Sequence, residues 1–331
     1  MRDHDVVGIG NAIVDIIGRC DDAFLARHNC TKGSMQLVDA PAVSKLYESM
    51  GPGVEISGGS VANTIVGVAS FGGQAGFIGK TARDQFGQVF SHDIRAAGVT
   101  FTTPAAAEGS DPTGRCLVLV TPDGQRTMST FLGVSPQLGG GEVDAALIGS
   151  ARIVYLEGYL FDRPEAKAAF RQAAQIAAKA GRQVALSLSD PFCVDRHRAE
   201  FRDLIRDSVD ILFANESEIT SLYQTASFDE AARQAQDDTK LAAITRSEKG
   251  SVIISGGKRT TVPAAPVAAV VDTTGAGDLY AAGFLYGVAI GKDLETAGRL
   301  GSLAAAEIIS HIGARPEVGL RELARKQGLL T

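Results

Sequence analysis

Short apolar runs alternate with longer amphipathic segments from residue 151 onward. The predicted strands are 153–156, 184–188, 211–213, 242–245, 252–255 and 260–262, and the predicted helices are 164–180, 195–206, 216–223, 294–309 and 320–326. Each helical segment repeats its apolar positions with a helical period, whereas the strand runs are short and continuously apolar. This alternation predicts right-handed βαβ units and a doubly wound, mainly parallel sheet with helices on both faces.

The first part of the chain has a different pattern. Residues 6–9 predict another buried strand, but residues 12–20 and 34–38 look extended without an intervening helical repeat. Residues 113–120 and 125–131 are extended runs joined by Thr-Pro-Asp-Gly, a turn sequence that predicts a β-hairpin. We expect these segments to form a small separate sheet that is inserted into the main domain.

Glycines interrupt the chain where a predicted strand meets a helix at residues 54–63. The strand breaks at Gly58-Gly59, and a helical pattern follows. Asn63 comes one turn after the glycines, so its amide could face the same space as Gly59. A ligand can approach closely at such a position because glycine has no side chain.

The start of a helix near residue 275 predicts an anion site. An apolar run, 267–271, is expected to end as a strand at Asp272, and Gly275-Ala276-Gly277 then leads directly into a helical pattern. The first amides of a helix lack internal partners and carry partial positive charge. The two glycines leave those amides accessible, so the segment is suited to binding phosphate.

Asp278 places a carboxylate where an anion is expected to bind. A simple phosphate site would exclude that charge, whereas a site that must also remove a proton from a hydroxyl requires it. The alternative is a helix with an ordinary acidic first turn. The glycines on both sides of Ala276 favour the chemical interpretation.

Other polar residues occupy positions from which they could reach a ligand. Asp15 lies in an apolar extended run, where it either faces solvent or binds ligand hydroxyls, and the residues alone leave this open. Arg126, on the second arm of the hairpin, could reach a phosphate, although most single arginines lie in solvent. Asn215 and Thr245 fall at the carboxyl ends of strands, where doubly wound sheets bind ligands.

Composition narrows the class of partner. The 331 residues are 45% hydrophobic and 21% charged, which is typical of a soluble globular protein. A net charge of −6 argues against nucleic acid or an anionic membrane as the main partner. The four cysteines show no C-x-x-C spacing, which predicts buried free thiols in a reducing cytoplasm. No histidine spacing suggests a metal site, and no apolar run is long enough to span a membrane.

These motifs together resemble those of the ribokinase-like PfkB family of carbohydrate and nucleoside kinases. The sequence Asp-Thr-Thr-Gly-Ala-Gly-Asp at 272–278 resembles the C-terminal family signature, and Gly-Gly-Ser-Val-Ala-Asn at 58–63 resembles the N-terminal one. The resemblance extends over almost the whole chain. It implies a single kinase domain, 1–331, with a lid built from about 12–38 and 113–131 that covers the substrate.

Two further segments resemble nucleotide-binding elements of the family. Ala-Asn-Glu-Ser-Glu at 214–218 resembles an N-x-x-E element that orders water around Mg²⁺. Thr-Arg-Ser-Glu-Lys-Gly at 245–250 resembles a T-x-G-x-x-G nucleotide loop, with Ser247 in place of the first glycine. The resemblance therefore implies ATP as phosphoryl donor and Mg²⁺ as its metal, with Asn215, Thr245 and Gly250 at the nucleotide and Glu218 at the metal. A potassium ion near Asp272 and Thr274 is a further family property.

Within the family, the likeness is greatest to the branch that phosphorylates adenosine. It rests on Gly-Asn-Ala-Ile-Val-Asp-Ile at 10–16, Pro-Thr-Gly-Arg-Cys at 112–116 and Ser-Leu-Ser-Asp-Pro-Phe at 187–192. The resemblance implies that Asp15 holds the ribose hydroxyls. The other implied substrate contacts are Asn11, Gly59 and Asn63 around the ribose, and Leu37, Met128 and Leu160 at the purine. As residues alone, the last three are equally well ordinary core positions.

The expected reaction is ATP-dependent phosphorylation of the 5′-hydroxyl of adenosine, a step of purine salvage, by a monomer or homodimer. The implied catalytic residues are Asp278, which accepts the hydroxyl proton, Gly275, Ala276 and Gly277, whose amides hold the γ-phosphate, and Arg126, which adds positive charge. Two alternatives remain. One is a kinase of ribose, fructose, inosine or a related substrate, and the other is a binding protein that kept the fold without turnover.

Overall fold

The computed structural model describes residues 4–331. Its strands are β1 (His4–Ile9), β2 (Ile13–Arg19), β3 (Met35–Leu37), β4 (Gly53–Gly58), β5 (Ala75–Ile78), β6 (Val99–Phe101), β7 (Thr113–Val120), β8 (Arg126–Gly133), β9 (Ala151–Glu157), β10 (Gln183–Ser187), β11 (Ile211–Asn215), β12 (Leu241–Thr245), β13 (Ser251–Ser255) and β14 (Lys258–Val262). Its helices are α1 (Asp22–Arg27), α2 (Ala40–Ser49), α3 (Ser60–Ser70), α4 (Gln85–Ala96), α5 (Ala145–Ser150), α6 (Pro164–Lys179), α7 (Pro191–Ser208), α8 (Glu216–Tyr223), α9 (Phe228–Asp238), α10 (Ala276–Ala289), α11 (Leu294–Ile308) and α12 (Leu320–Lys326).

The larger sheet has nine strands in the order β14-β13-β12-β11-β10-β9-β1-β5-β6. Its strands are parallel from β12 to β6, and β13 and β14 add an antiparallel edge. Successive residues of β9 enter different core clusters: Ile153 and Tyr155 pack on the α3 and α10 side, Val154 and Leu156 on the α6 and α7 side. Because strand side chains alternate, helices cover both faces. The predicted doubly wound, mainly parallel sheet is confirmed.

The smaller sheet has five strands in the order β3-β8-β7-β2-β4. The predicted hairpin is confirmed, since β7 and β8 pair antiparallel, and β2 pairs parallel with β7. Strand β4, which leads into the glycine turn before α3, also belongs to this sheet. One face, with Val14, Ile16, Leu117 and Leu119, packs into a core cluster shared with the larger sheet.

The strand expected at 267–271 is wrong. This segment is irregular, and Val270 and Val271 are 59% and 47% exposed. The N–H of Val271 donates to the carbonyl of Ile309, at the end of α11, so the segment contacts a helix terminus rather than a sheet neighbour. An apolar run forms a strand only where another strand lies beside it. The sequence of the run does not reveal whether such a neighbour exists.

The sequence patterns did not predict four helices: α1, α2, α5 and α9. Each begins at a polar cap. In α2, for example, Asp39 accepts a hydrogen bond from the N–H of Ala42, and in α9 Ser227 accepts one from that of Glu230. Capping residues of this kind stabilise a helix whose apolar stripe is short.

The four cysteines are free, and Cys30, Cys116 and Cys193 are buried whereas Cys20 is partly exposed. Within residues 4–331, no helix is both long and apolar enough to cross a membrane. Over the same residues, no cluster of histidine, cysteine and carboxylate side chains is arranged to hold a metal ion directly.

Candidate active site

The N-terminus of α10 is an open helix start. Gly275 is its N-cap and has a left-handed φ of 77°, and no side chain caps the helix. A Cβ on Gly275 would lie 3.0 Å from the Cβ of Ala314, whereas a Cβ on Gly277 would meet nothing within 4 Å. The turn therefore requires glycine at 275, and the space above Gly277 is open to a ligand. The N–H of Ala276 donates to the carbonyl of Thr273 at 3.2 Å, whereas the amide of Gly277 lies at this opening.

Asp278 is held by a second helix rather than by its own. Its Oδ1 accepts a hydrogen bond from Oγ of Ser60 at 2.6 Å, and its Oδ2 accepts one from Nδ2 of Asn63 at 3.0 Å. Both donors lie in the first turn of α3, directly after the Gly58-Gly59 turn. Burial raises the pKa of Asp278, and the two hydrogen bonds and the charge of Arg315 oppose that shift. The carboxylate is thus oriented and desolvated, as a proton acceptor must be.

Asn63 has a second polar atom that points to a ligand. Its Oδ1 is buried and has no hydrogen-bond partner among residues 4–331. Buried polar atoms are nearly always paired in folded proteins, so an unpaired one at the edge of a site needs a partner from elsewhere. The amide therefore binds Asp278 through its nitrogen and leaves its oxygen for a ligand hydroxyl.

A buried carboxylate, Glu157, fixes the backbone on the other side of the glycine turn. It is 1% exposed, and it accepts hydrogen bonds from Nδ2 of Asn11 at 2.5 Å and from the N–H of Val61 at 2.9 Å. Burial raises its pKa to about 7, and these hydrogen bonds oppose that shift. Close packing completes the junction, since a Cβ on Gly59 would lie 2.2 Å from the carbonyl oxygen of Asn11. Asn11 and Gly59 are therefore adjacent, as the sequence predicted.

One face of the smaller sheet is turned toward this opening. Asp15 lies opposite Cys116 and Ile56 in the strand register, and residues opposite one another share a face. The same face carries Ile17, Val54, Val118, Val120, Arg126, Met128, Met35 and Leu37. Asp15, Arg19 and Arg126 are the charged side chains on this mostly apolar surface.

Asp15 is the polar group of that face nearest the glycine turn. A Cβ on Gly58 would lie 2.3 Å from its Oδ2, so the carboxylate rests directly on the turn backbone. Burial raises the pKa of Asp15 to about 6; the charges of Arg315 and Arg126 lower it, and that of Asp278 raises it. Of the two interpretations left open by the sequence, the structure places Asp15 inside the site and not in solvent.

Arg126 bridges the smaller sheet to the loop before α10. Its guanidinium contacts the carboxylate of Asp272 and the hydroxyl of Thr274, and the Asp272 side chain is 1% exposed. Asp272 also accepts hydrogen bonds from the N–H of Thr274 at 2.8 Å and of Gly313 at 2.9 Å. In this conformation the guanidinium of Arg126 lies close to the predicted phosphate position. It is bound to Asp272 and Thr274, so it is not available to a phosphate.

The three predicted purine contacts do not share one location. Leu37 is 64% exposed and Met128 is partly buried, and both belong to the face that carries Asp15. Leu160 is fully buried in the core cluster around β9 and β10. A side chain with no accessible surface cannot contact a ligand in this conformation. Its neighbour Tyr159 is 40% exposed instead, and its pKa is raised by burial and by Asp190, Asp278, Glu218 and Glu157.

Asn215 and Glu218 form a capping box at the start of α8. The Asn215 side chain accepts from the N–H of Glu218 at 2.8 Å, and the Glu218 carboxylate accepts from the N–H and Nδ2 of Asn215 at 2.9 and 2.6 Å. Glu218 is 6% exposed, and burial raises its pKa to about 7, with the carboxylates of Asp190 and Asp278 adding to the shift. Glu218 is therefore a buried carboxylate whose hydrogen-bond partner is the N-cap of its own helix.

The loop after β12 has the backbone that its glycine-rich pattern requires. Ser247, which replaces a glycine of that pattern, adopts a left-handed φ of 51°. Gly250 has a φ of 80°, and a Cβ there would lie 2.1 Å from the carbonyl oxygen of Val262. Arg246 fixes the loop to α8 through two hydrogen bonds to Glu216, at 2.9 and 3.0 Å. Thr245, the last residue of β12, therefore lies beside a loop that Arg246 holds against α8.

Sequence reasoning missed three polar residues of the site: Glu157, Tyr159 and Arg315. Glu157 had a usable signal, because it is a carboxylate at the end of an apolar strand, as Asp15 is within one. Tyr159 follows it in the same turn. Arg315 lies between α11 and α12 with no pattern around it, and only the tertiary structure brings it to the glycine turn.

The open helix start, the partly buried carboxylate of Asp278 and the carboxyl-end loops of a doubly wound sheet are typical of a phosphotransferase site. A family model described as pfkB family carbohydrate kinase matches residues 49–318. The chain belongs to this family, and it is an ATP-dependent kinase.

Several known kinases are similar to this chain in sequence or structure. The structure is similar to that of an adenosine kinase from Sinorhizobium meliloti, with 51% identity, a TM-score of 0.91 and coverage of 98% of this chain and 99% of that one. It is also similar to a probable sugar kinase protein from Rhizobium etli, with 49% identity, a TM-score of 0.92 and full coverage of both chains. Among curated proteins, an adenosine kinase from Saccharomyces cerevisiae is 26% identical, covering 93% of this chain and 95% of that protein.

Proposed function

We propose that the protein transfers the γ-phosphoryl group of ATP to the 5′-hydroxyl of adenosine, giving AMP and ADP. The observation that carries this proposal is the position of Asp278, which is held by Ser60 and Asn63 beside the open amides of α10. A proton acceptor and an anion site within one helical turn are what an in-line transfer to a hydroxyl needs.

The residues then have complementary roles. Asp278 accepts the proton of the attacking hydroxyl, and the amides that follow Gly275 stabilise charge on the transferred phosphoryl group. Arg126 approaches the same place from the smaller sheet, which acts as a lid. The transition state of phosphoryl transfer is loose, so catalysis depends mainly on positioning and charge stabilisation.

The ribose would bind between the carboxylates of Asp15 and Asp278. Asp15 accepts hydrogen bonds from the 2′- and 3′-hydroxyls, and the free Oδ1 of Asn63 accepts another. Asp15 and Asp278 are partly buried, and desolvation raises the pKa of both. Hydroxyl donors of a ligand would stabilise their charged forms. The Gly59 amide completes the ribose side. The side chain of Asn11 is buried and bound to Glu157 and Ser135, so it supports this turn rather than contacting the ribose.

The purine would lie against the apolar face of the lid. Leu37 and Met128 belong to that face, and Tyr159 offers an aromatic ring from the main domain. A flat ring system gains most of its affinity from burial, at about 25 cal/mol per Å². We assign the purine contact to Tyr159 rather than to Leu160.

Asn215, Glu218, Thr245 and Gly250 would line the nucleotide phosphates. The residues fit a Mg²⁺ ion held through water, because Glu218 is a buried carboxylate whose neighbours Asp190 and Asp278 are also negative. When bound, Mg²⁺ neutralises charge on the β- and γ-phosphates. Asn215 positions the Glu218 carboxylate through the capping box.

Potassium does not fit the residues in this conformation. Asp272 and Thr274 are both engaged by the guanidinium of Arg126, and Asp272 also accepts two backbone N–H groups. No step of the proposed reaction therefore uses a monovalent ion.

The deciding experiment compares acceptors with Mg-ATP. Adenosine should exceed ribose in kcat/KM by at least about a hundredfold, because net burial of the base contributes at least about 2.7 kcal/mol at roughly 1.36 kcal/mol per decade. 2′-Deoxyadenosine should be a poor substrate, since it loses one hydroxyl that Asp15 binds. Equal or better turnover of ribose or fructose would overturn the adenosine assignment.

Two variants separate the ribose and purine contacts. Asp15→Ala should raise KM for adenosine by roughly tenfold or more, since charge-assisted hydrogen bonds contribute about 1.5–3 kcal/mol each. It should weaken any ribose-containing substrate. Met128→Ala, a matched change on the same face, should reduce the lead of adenosine over ribose without affecting ribose itself.

A sugar kinase is the second candidate. The burial of Leu160 favours it, because one of the three expected purine contacts is absent from the site surface. The similar chain from Rhizobium etli is described as a probable sugar kinase. The acceptor comparison above separates the two, and a chain that turns over none of the acceptors would be a binding protein. The buried free thiols support a reducing compartment, the cytoplasm.

A further inference from the structure

Arg315 is a charged residue at the centre of the site that the reaction described so far does not use. Its Nε donates to the carbonyl of Ser57 at 2.9 Å, and its Nη1 donates to the carbonyl of Ala62 at 3.0 Å. Its Nη2 donates to the hydroxyl of Ser57 at 2.8 Å and also contacts the carbonyl of that residue. The guanidinium therefore binds the backbone on both sides of the Gly58-Gly59 turn.

That turn carries the donors that orient Asp278. Ser60 and Asn63 lie in the first turn of α3, and Ala62 is between them. On the strand side, the N–H and hydroxyl of Ser57 donate to Oδ2 of Asp93 at 2.8 and 2.5 Å. A flexible glycine turn needs such external anchors, because glycine itself does little to restrict the backbone.

The same guanidinium interacts electrostatically with several carboxylates around it. Its own charge interactions are with Asp93 on α4, Asp15 on β2 and Asp278 on α10. The other charged or titratable groups that face Asp278 or Asp15 are Glu157 and Tyr155 on β9, Tyr159 in the following turn, Glu218 on α8, Cys116 on β7 and Arg126 on β8. Arg126 is already paired with Asp272.

We propose that Arg315 is a positioning residue for the general base, which holds the turn that orients Asp278 and supplies the positive charge that keeps it ionised. The inference rests on the proposed role of Asp278 as that base. Burial favours the protonated form of Asp278, and Arg315 is the cation that opposes it. The pKa of Arg315 is itself lowered to about 10 by burial, so it stays charged throughout the working range.

The test is the pH dependence of kcat/KM in two variants, one that loses the charge of Arg315 and one that keeps it. Arg315→Met removes both the charge and the backbone contacts. The ratio of wild-type to variant rate should then grow by at least about threefold between about pH 8 and about pH 5.5, because Asp278 is protonated more readily. Arg315→Lys keeps the charge but not the planar fork, so its acid limb should match the wild type while kcat falls by roughly tenfold at every pH.

Arg299→Met is the matched control, since it removes the same charge from an exposed position on α11. Its pH profile should match that of the wild type. An unmoved acid limb in folded Arg315→Met would overturn the proposal. If that variant does not fold, Arg315→Lys decides: an unchanged kcat would overturn the proposal, and a reduced kcat with an unmoved limb would support it.

Failure of the proposed function gives a different result. The pH profile can be measured with whichever acceptor the wild type phosphorylates, so a preference for a sugar overturns the adenosine assignment alone. Full activity of Asp278→Asn overturns the general base itself, and with it any role of Arg315 in setting its ionisation.

Discussion

Helices α8 and α10 both have a carboxylate at their third position, but the two carboxylates have different partners. Glu218 accepts hydrogen bonds from the N–H and side-chain amide of Asn215, the N-cap of its own helix. Gly275, the N-cap of α10, has no side-chain amide, and Asp278 does not bind to its own helix cap. It is bound instead by Ser60 and Asn63 of α3.

The difference separates a carboxylate that closes a helix from one that is held for a ligand. In α8 the reciprocal capping box satisfies the end of the helix within four residues. In α10 the glycine cap leaves the amide of Gly277 open, and the carboxylate is fixed by residues of another helix. The same residue type at the same helical position therefore has a mainly local role in one case and a chemical role in the other.

The largest expected effect is at α10. Asp278→Asn keeps the shape of the side chain and its contact with Ser60 but removes the proton acceptor. We expect kcat to fall by roughly 10²–10⁴, with substrate binding mostly retained. Steady-state kinetics and calorimetric binding measure the two quantities. Glu218→Gln is the matched change in α8, and a loss of kcat as large as that of Asp278→Asn would erase the distinction between the two helices.

A pair of glycines in one turn tests the open helix start. Gly275→Ala should destabilise the fold by about 1–2 kcal/mol, because the left-handed backbone and Ala314 both oppose a side chain. Gly277→Ala should leave stability within about 0.5 kcal/mol but lower kcat/KM for ATP, since its Cβ would occupy the ligand space. Thermal unfolding and ATP kinetics decide, and equal stability of the two variants would contradict this geometry.

The α8 capping box should show its role in stability and in metal dependence. Asn215→Ala should lower the free energy of unfolding by about 1 kcal/mol through loss of the N-cap. Glu218→Ala should in addition raise the Mg²⁺ concentration needed for half-maximal rate. An unchanged Mg²⁺ titration in Glu218→Ala would show that this carboxylate only caps its helix.

The last prediction concerns Asp15 and the pH dependence of stability. Its folded pKa of about 6 lies above the ordinary value of 3.8, so the folded protein retains a proton that the unfolded chain releases. Stability is therefore lost as pH rises between these two values. Asp15→Asn removes this cost and should stabilise the fold by roughly 1–2 kcal/mol near pH 7.5, with the gain vanishing near pH 4. Unfolding at both pH values tests this, and a constant difference would contradict it.

Local patterns predicted the anion site because its parts are adjacent in sequence. Gly275, Gly277 and Asp278 lie within four residues, and the apolar periodicity around them fixes the helix start. The capping box at Asn215 is local for the same reason. By contrast, Arg315 binds Ser57 across 258 residues and Glu157 binds Asn11 across 146, and no pattern along the chain encodes such pairs.

The sequence by itself determined the alternating strands and helices, the glycine turns and the carboxylate at the start of α10, since each follows from the spacing of neighbouring residues. Only the tertiary structure decided that residues 267–271 are irregular, that β4 joins the smaller sheet and that Leu160 is buried while Tyr159 is exposed. It also decided that Arg126 pairs with Asp272. The physical reason is that periodicity reports which residues face a core, whereas burial, sheet partners and counter-charges depend on which distant segments pack beside them.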